Sequence, residues 1–378
     1  MESDNQHLRL QEIAGDLEIV LKREDLIHPD IFGNKWRKLK YNLQYAKANS
    51  YKTLLTFGGA YSNHLAAVAA AGYQYGFATH GIVRGDELEG QPLNPTLQYC
   101  KQMGMVLHFV SRSLYKDKEQ ALSTVVLEDK NPYIIPQGGT NALAIKGCKE
   151  ILTTTDKTFD TLAIAVGTGG TMAGLIESTH EHQHIVGFQV VKDIEIRSRI
   201  RTFVNNDRWS LVPTHNEIGY AKTPKSLIDF AHRVANQTGV ILDQLYTAPM
   251  LWHLIKKWKE NTWNFGNRLL VIHTGGHQSI KGINQRLAAQ GWSGRWPCSS
   301  FSPHAAVNAR CILPMHQCLY KRLRIKKNTK KRQKRKKTKM LFIPQIQQHA
   351  TSSNMPVLHK RKCVAIKFQQ ASLWRKVC

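Results

Sequence analysis

The chain has 378 residues, with 53 Lys and Arg against 27 Asp and Glu, giving a formal net charge of +26. This length suffices for two domains of ordinary size. No run approaches the roughly 18 consecutive apolar residues of a membrane-spanning helix, and the N-terminus MESDNQHLRLQEIAG carries acids where a secretory signal has an apolar block. A membrane protein is excluded, and we expect a cytoplasmic location.

Up to about residue 291 the chain alternates between predicted strands and helices, which is typical of an α/β protein with a parallel sheet. Short apolar, β-branched runs predict strands at 53–57, 81–83, 105–110, 161–166, 185–190 and 268–272. Apolar residues at three- and four-residue spacing predict helices at 36–48, 64–72, 142–152, 172–180, 225–236, 250–260 and 279–289. Several strand-to-helix junctions contain Gly with Ser, Thr or Asn, the usual composition of phosphate and carboxylate sites.

A basic segment, Gly-Asn-Lys-Trp-Arg-Lys-Leu-Lys at 33–40, opens the first predicted helix. A basic helix start is usually a solvated face. The residues themselves do not distinguish Lys35 from Lys38 or Lys40 as a functional lysine.

The segment Gly-Gly-Ala-Tyr-Ser-Asn-His at 58–64 follows a predicted strand and precedes a predicted helix. Ser62 or Asn63 is well placed as the N-cap, which would explain one of these polar residues. Ser62, Asn63 and His64 together, after two glycines, favour a site that binds a carboxylate. Capping alone stays open as the alternative.

The clearest local motif is Gly167-Thr168-Gly169-Gly170-Thr171, between a predicted strand and a predicted helix. Glycine lets an anion approach the backbone closely, and the helix start and the Thr hydroxyls offer donors. This predicts a phosphate site. It is neither a Walker loop nor a GxGxxG fingerprint, and a Gly-rich turn without ligand is the alternative. Further Gly turns lie at 137–141 and 273–276.

The charge is concentrated at the C-terminal end, where residues 292–378 hold 21 Lys and Arg and not one Asp or Glu. The first 291 residues carry a net charge of only +5. A basic tail could bind nucleic acid through its phosphates. We favour the other interpretation, that the reading frame was lost near residue 291 and that 292–378 is a disordered, unselected translation. The Cys and His residues of this tail lack the spacing of zinc ligands, so no metal is expected.

Six segments resemble the D-cysteine desulfhydrase and 1-aminocyclopropane-1-carboxylate deaminase family. They are KREDLIHPDIFGNKWRKLK, FGGAYSNHLAAVAAAG, PQGGTNALAIKG, VGTGGTMAGL, GYAKTP and HTGGHQS, in this order. The resemblance spans about residues 10–291. It implies a two-domain α/β enzyme of the tryptophan synthase β-like fold (fold type II) with pyridoxal 5'-phosphate as cofactor. The expected division is a large cofactor-binding domain at 1–50 and 155–291 and a small α/β domain at 51–154. A homodimer is expected.

The resemblance also implies roles for individual residues. Lys35, the Lys of the GNK motif, would carry the cofactor covalently, and Thr274 would approach the pyridine nitrogen. Asn63 would lie beside the cofactor ring, and Ser62, Asn63 and His64 would hold the substrate carboxylate. Ser62 and Tyr246 are expected to be catalytic with Lys35, and Tyr246 and Tyr220 to face the substrate. The cofactor phosphate is assigned to Gly167, Thr168, Gly169, Gly170 and Thr171.

The implied reaction is β-elimination or deamination of a small amino acid, with Lys35 as general base. A neutral Thr274 at the ring nitrogen favours conversion of D-cysteine to pyruvate, ammonia and sulfide over opening of a cyclopropane. Deamination of 1-aminocyclopropane-1-carboxylate is the alternative. Several residues depart from the family pattern: Phe32, Ala248, Pro249, His277 and Ser279. A catalytically impaired cofactor-binding protein and a nucleic-acid binder acting through the tail therefore remain further alternatives.

Overall fold

The computed structural model describes residues 1–214, 217, 219, 222–292 and 294–298. Tyr220 and the tail from residue 299 lie outside the described residues. The described part contains two sheets. The strands are β1 (Asn5–Leu8), β2 (Ile19–Lys22), β3 (Thr53–Gly59), β4 (Ala78–Arg84), β5 (Met105–Val110), β6 (Tyr133–Ile135), β7 (Thr161–Val166), β8 (His184–Gln189), β9 (Trp209–Pro213) and β10 (Leu269–Ile272).

The helices connect these strands and cover the faces of the sheets. They are α1 (Gln11–Ala14), α2 (Asn34–Ala48), α3 (Asn63–Tyr75), α4 (Pro95–Gln102), α5 (Lys118–Ser123), α6 (Ala142–Cys148), α7 (Gly170–Ile176), α8 (Ile196–Arg201), α9 (Lys225–Thr238), α10 (Thr247–Lys259) and α11 (Ile280–Ala289). None of the helices in the described ranges is both long enough and apolar enough to cross a bilayer.

One sheet has the strand order β1-β2-β10-β7-β8-β9, and the other has β5-β4-β3-β6. All neighbouring strands are parallel except β1 and β2. Parallel strands are buried on both faces, and β10 shows the consequence. Leu269 and Val271 pack into one apolar cluster while Leu270 and Ile272 pack into the cluster on the opposite face.

All six predicted strands and all seven predicted helices are present, with ends that differ by a few residues. Two predicted helices, 142–152 and 172–180, end early at Cys148 and Ile176. Four strands were not predicted, because β1, β2, β6 and β9 have only three to five residues and little apolar alternation. The predicted division into a large and a small domain stays a prediction, although each sheet draws its strands from one of the two.

Helix α2 is held by a buried ion pair on its inner face. The Arg37 guanidinium donates to both oxygens of Glu24, at 3.0 and 2.8 Å, and both side chains are about 1% exposed or less. Ser3 Oγ donates to Glu24 at 2.6 Å, and Arg37 Nη1 donates to the Met1 carbonyl at 3.1 Å. A buried charge without its partner is costly, so this pair fixes the position of α2 and of the residues that its N-terminal turns carry.

We expect Glu24→Ala to lower the free energy of unfolding by about 3 kcal/mol or more, because the Arg37 charge would stay buried without its main partner. Urea denaturation followed by circular dichroism measures this. Glu87→Ala is the matched control, since Glu87 pairs with Arg112 at the surface, and it should lower the free energy of unfolding far less, because exposed ion pairs contribute little. Equal losses in the two variants would contradict the anchoring role of the buried pair.

Candidate active site

The predicted site segments converge where strands of both sheets end. Gly-rich segments follow the carboxyl ends of β3, β6, β7 and β10, and α2 begins after β2. Loops at the carboxyl ends of parallel strands are where α/β folds place ligands. Hydrogen bonds and close approaches at glycines show which of these loops are in contact.

The start of α2 lies against the loop that follows β10. Gly33 has φ 60°, and a Cβ there would lie 2.0 Å from the Thr274 carbonyl oxygen, so only glycine fits. The Asn34 backbone N–H donates to that carbonyl at 3.2 Å, and Asn34 Nδ2 donates to Thr171 Oγ1 at 2.7 Å. These bonds bring Lys35 between the Thr274 loop and the glycine motif at 167–171.

Lys38 is a residue to which the sequence analysis assigned no role in the site. Its side chain is 2% exposed, and Nζ donates to the Gly138 carbonyl at 3.0 Å, to Thr140 Oγ1 at 3.1 Å and to Thr168 Oγ1 at 3.3 Å. All three acceptors are neutral. The available signal was the spacing of three residues from Lys35, which puts both amines on one face of the helix.

Burial of these two amines changes their acidity. Burial and then the charge of Lys38 lower the pKa of Lys35 to about 7, and burial lowers the pKa of Lys38 to about 8. An ammonium loses hydration when it is buried, so the neutral form is favoured. A substantial share of Lys35 is therefore an unprotonated, nucleophilic amine near neutral pH.

Glycines allow the loops around Lys38 to pack closely. A Cβ at Gly170 would lie 2.7 Å from Thr140 Oγ1 and 3.1 Å from Lys38 Nζ. At Gly138 it would lie 2.6 Å from Thr168 Cγ2. Thr140 Oγ1 and Thr168 Oγ1 are themselves 2.7 Å apart. Two loops from different sheets thus form one polar cradle around a single ammonium.

The segment that starts α3 contributes three side chains with different surroundings. Ser62 Oγ accepts the Leu65 N–H at 3.2 Å, so it is the N-cap. Asn63 Oδ1 accepts from Gln278 Nε2 at 2.6 Å. His64 is 3% exposed, and its Nε2 lies 2.9 Å from Thr56 Oγ1.

The His64 ring is neutral at pH 7. Burial and then the charges of Lys35 and Lys38 lower its pKa well below the ordinary value. Its Nδ1 has no hydrogen-bond partner among the described residues. A neutral imidazole has no charge to attract a carboxylate. His64 could therefore bind a substrate carboxylate only as a neutral hydrogen-bond donor.

Tyr246 lies beside the glycine motif. A Cβ at Gly167 would lie 3.1 Å from the Tyr246 ring and 3.5 Å from its hydroxyl oxygen. The Asp243 carboxylate accepts the backbone N–H groups of Leu245, Tyr246 and Thr247 at 2.8 to 3.0 Å. It also accepts the Thr247 hydroxyl at 2.7 Å. Both oxygens of Asp243 therefore accept hydrogen bonds, and these bonds fix the turn before α10.

Pro249, which departs from the family pattern, is accommodated at the start of α10. It is the third residue of α10, which begins at Thr247. The N–H groups of a first turn have no partner within the helix, so proline costs nothing there.

A polar cluster lies at the end of β10. A carboxylate oxygen of Asp25 and one ring nitrogen each of His273 and His277 lie within 4.8 Å of one another. Both Asp25 oxygens accept from Arg23, at 2.8 and 2.7 Å, and Nε2 of each histidine lies within 2.9 Å of the Ile241 carbonyl oxygen. Burial raises the pKa of Asp25, but the charge of His273 and the bonds from Arg23 outweigh it and hold that pKa below its ordinary value. These hydrogen bonds hold the three side chains in place beside the Thr274 loop.

The arrangement fits the predicted cofactor. Pyridoxal phosphate needs an amine that reacts with its aldehyde and a site that neutralises its phosphate. Lys35 has the amine with the lowered pKa, and the cradle of Lys38, Thr140 and Thr168 offers a cation and hydroxyls next to the glycine motif. Tyr220 lies outside the described residues, so its predicted place beside the substrate has no structural counterpart.

Comparison with protein families and curated proteins gave concordant matches. A family model described as "Pyridoxal-phosphate dependent enzyme" matches residues 3–275. The chain is 30% identical over 294 residues to the "Bifunctional D-cysteine desulfhydrase/1-aminocyclopropane-1-carboxylate deaminase, mitochondrial" of Arabidopsis thaliana, covering 68% of this chain and 72% of that protein. It is 25% identical over 314 residues to the D-cysteine desulfhydrase of Salmonella typhi, covering 72% of this chain and 90% of the relative.

Comparison with solved structures gave a match to the crystal structure of an ACC deaminase homologue. The TM-score is 0.67 at 26% identity, over 76% of this chain and 94% of that chain. The resemblance and the tryptophan synthase β-like fold that the sequence predicted are confirmed.

We expect the Lys35 amine to be acylated with a half-maximal rate near pH 7, because only the neutral amine reacts and its pKa is about 7. Lys38→Met should move this midpoint upward, since it removes a positive neighbour that disfavours the Lys35 ammonium. Acetylation of the cofactor-free protein between pH 6 and pH 10, with the Lys35 peptide quantified by mass spectrometry, measures both midpoints.

Lys40→Met is the control for this titration. Lys40 lies in the same helix but is paired with Glu150 at 2.6 Å, so its removal should leave the Lys35 midpoint unchanged. A Lys35 midpoint near that of an ordinary lysine, about 10.4, would contradict the assignment of Lys35 as the reactive amine.

Proposed function

The chain belongs to the pyridoxal-phosphate-dependent enzyme family, and on this premise we propose that it converts D-cysteine to pyruvate, ammonia and sulfide by β-elimination. Its cofactor is pyridoxal 5'-phosphate. The observation that carries the proposal is a pair of lysines on one face of α2, the half-buried Lys35 and the buried Lys38, at the point where loops of both sheets meet.

We assign the covalent attachment of the cofactor to Lys35. Formation of a carbon–nitrogen bond with an aldehyde requires an unprotonated amine, and the pKa of about 7 makes this form abundant at neutral pH. Lys38 is the weaker candidate, because its Nζ is engaged by three acceptors.

The cradle around Lys38 is the proposed site of the cofactor phosphate. An ammonium with only neutral partners gains strongly from a phosphate dianion beside it. Thr140 and Thr168 can turn their hydroxyls to accept from Lys38 and donate to the phosphate. The backbone N–H groups of the glycine motif, Gly167 to Thr171, would complete the shell.

The remaining roles concern the substrate. When bound, pyridoxal phosphate withdraws electrons from the Cα of an amino acid that is joined to it. We assign removal of the Cα proton to the Lys35 amine, because its pKa matches the working pH of a general base. We assign the Ser62 hydroxyl and the neutral His64 to binding of the substrate carboxylate, the Asn63 amide to the side of the cofactor ring, and Tyr246 to the side of the substrate.

D-cysteine is preferred because a neutral hydroxyl, Thr274, is the proposed partner of the cofactor ring nitrogen. Two buried carboxylates near this loop are already engaged: Asp25 by Arg23, and Asp243 by three backbone N–H groups. Without a carboxylate the ring nitrogen is not held protonated, and the ring withdraws electrons less strongly. Loss of a thiolate after removal of the Cα proton needs less withdrawal than opening of a cyclopropane that has no such proton.

Deamination of 1-aminocyclopropane-1-carboxylate is the second candidate. It is supported by the Arabidopsis relative, which is described as bifunctional for both reactions, and by the solved structure of the ACC deaminase homologue. The homodimer and the cytoplasmic location stay predictions.

We expect the purified protein to show a visible cofactor absorption band and to form pyruvate from D-cysteine. Lys35→Ala should abolish the band and reduce turnover by at least about a thousandfold, as expected when a covalent catalytic group is removed. Lys40→Ala is the matched control and should retain both. Assays with 1-aminocyclopropane-1-carboxylate, scored as 2-oxobutanoate, decide between the two substrates. A wild-type protein without the band would overturn the proposal.

We expect Thr140→Val and Lys38→Gln to weaken cofactor binding by about 10- to 100-fold each, because each removes a hydrogen bond to a charged group. Equilibrium titration of the cofactor-free protein with pyridoxal phosphate measures the dissociation constant. Thr262→Val is the control, since Thr262 is exposed and donates only to the Lys257 carbonyl. If the affinity for pyridoxal phosphate were unchanged in both site variants, the assignment of the phosphate to this cradle would be wrong.

A further inference from the structure

Gln278 is a buried side chain that joins the two sheets beside the proposed site. It belongs to the short helical turn His277–Ser279, which follows β10 in the larger sheet, and it is 8% exposed. Its Nε2 donates at 2.6 Å to Oδ1 of Asn63, the first residue of α3 in the smaller sheet's layer. The two residues are 215 positions apart.

The turn that carries Gln278 is held on both sides. Nε2 of His277 lies 2.6 Å from the Ile241 carbonyl oxygen, and Ser279 Oγ accepts from Gln244 Nε2 at 2.9 Å. Gln244 is itself 3% exposed. Because both neighbours of Gln278 are tethered to the 241–244 segment, its amide is presented to Asn63 from a fixed backbone.

The hydrogen bond determines which end of the Asn63 amide is available to the site. An Asn side chain has one carbonyl oxygen, which accepts, and one NH₂ group, which donates. Gln278 donates its hydrogen bond to the Asn63 oxygen. The free end of the Asn63 amide is therefore its NH₂ group, and Asn63 acts toward a ligand as a donor.

We propose that Gln278 is a positioning residue that sets the Asn63 amide so that its NH₂ group donates to the hydroxyl oxygen of the pyridoxal ring. This rests on the proposed function, in which Asn63 lies beside the cofactor ring. A donor at this oxygen stabilises its deprotonated form. Gln278 thereby lowers the pH at which the cofactor chromophore loses its proton, without itself contacting the cofactor.

The test is a pH titration of the visible cofactor band in the full-length, cofactor-loaded protein. Gln278→Leu should move the midpoint upward by about half a unit or more, because loss of this hydrogen bond leaves Asn63 free to rotate. Gln278→Glu, which can only accept, should turn the Asn63 oxygen toward the ring and move the midpoint further upward. Gln285→Leu is the matched control, since Gln285 is exposed on α11, and should leave the midpoint unchanged.

A double-mutant cycle shows whether Gln278 acts through Asn63. We expect Asn63→Ala alone and Asn63→Ala with Gln278→Leu to have the same midpoint, because the second substitution has nothing left to orient. Additive shifts, or an unchanged midpoint in Gln278→Leu when Asn63→Ala does shift it, would overturn the proposal.

The thermal unfolding midpoint and the wild-type spectrum separate the remaining explanations. A purely structural Gln278 would lower the unfolding temperature and leave the spectral midpoint at the wild-type value, which would also overturn the inference. If the wild-type protein shows no cofactor band, the proposed function fails first. If the band is present and unaffected by all three substitutions, only the role of the Asn63 and Gln278 pair fails.

Discussion

The site depends on two lysines, three residues apart on one face of α2, whose amines are largely removed from water: Lys38 is buried and Lys35 is half-buried. Among the described residues, the atoms that accept hydrogen bonds from Lys38 are all neutral. The pKa of Lys35 falls to about 7 and that of Lys38 to about 8. Burial of ammonium groups opposes folding at any pH where they stay charged. The arrangement becomes favourable when an anion enters and one amine forms a covalent bond. This is the charge pattern that a phosphorylated aldehyde complements.

That constraint explains why α2 is anchored by a different ion pair. In the proposed function the amines of Lys35 and Lys38 bind the cofactor, whereas the Arg37 and Glu24 pair is complete within the protein. The side chains of one helix thus divide between two tasks. Arg37 secures the helix against the N-terminal residues, and Lys38 donates to loops of both sheets from the helix face that it shares with Lys35.

The sequence predicted the longer strands, the main helices and the Gly-rich junctions, because apolar periodicity and glycine are local signals. It did not predict Lys38 or Gln278 as site residues. The acceptors of Lys38 come from two distant loops at Gly138, Thr140 and Thr168, and only the packing of the sheets brings them together. The partner of Gln278 is 215 residues away. The local sequence carries no signal for either contact.

The residues that depart from the family pattern bear on whether the site is intact. A decaying site should leave such residues without partners, since nothing selects for new contacts. Here Pro249 occupies a first helical turn that tolerates it, His277 lies at hydrogen-bond distance from the Ile241 carbonyl oxygen, and Ser279 accepts from Gln244. His277 and Ser279 therefore both have hydrogen-bond partners, and Pro249 lies where a helix accepts proline. The structure around β10 is therefore that of a variant with its own internal hydrogen-bond network, which favours a functional enzyme over an impaired one.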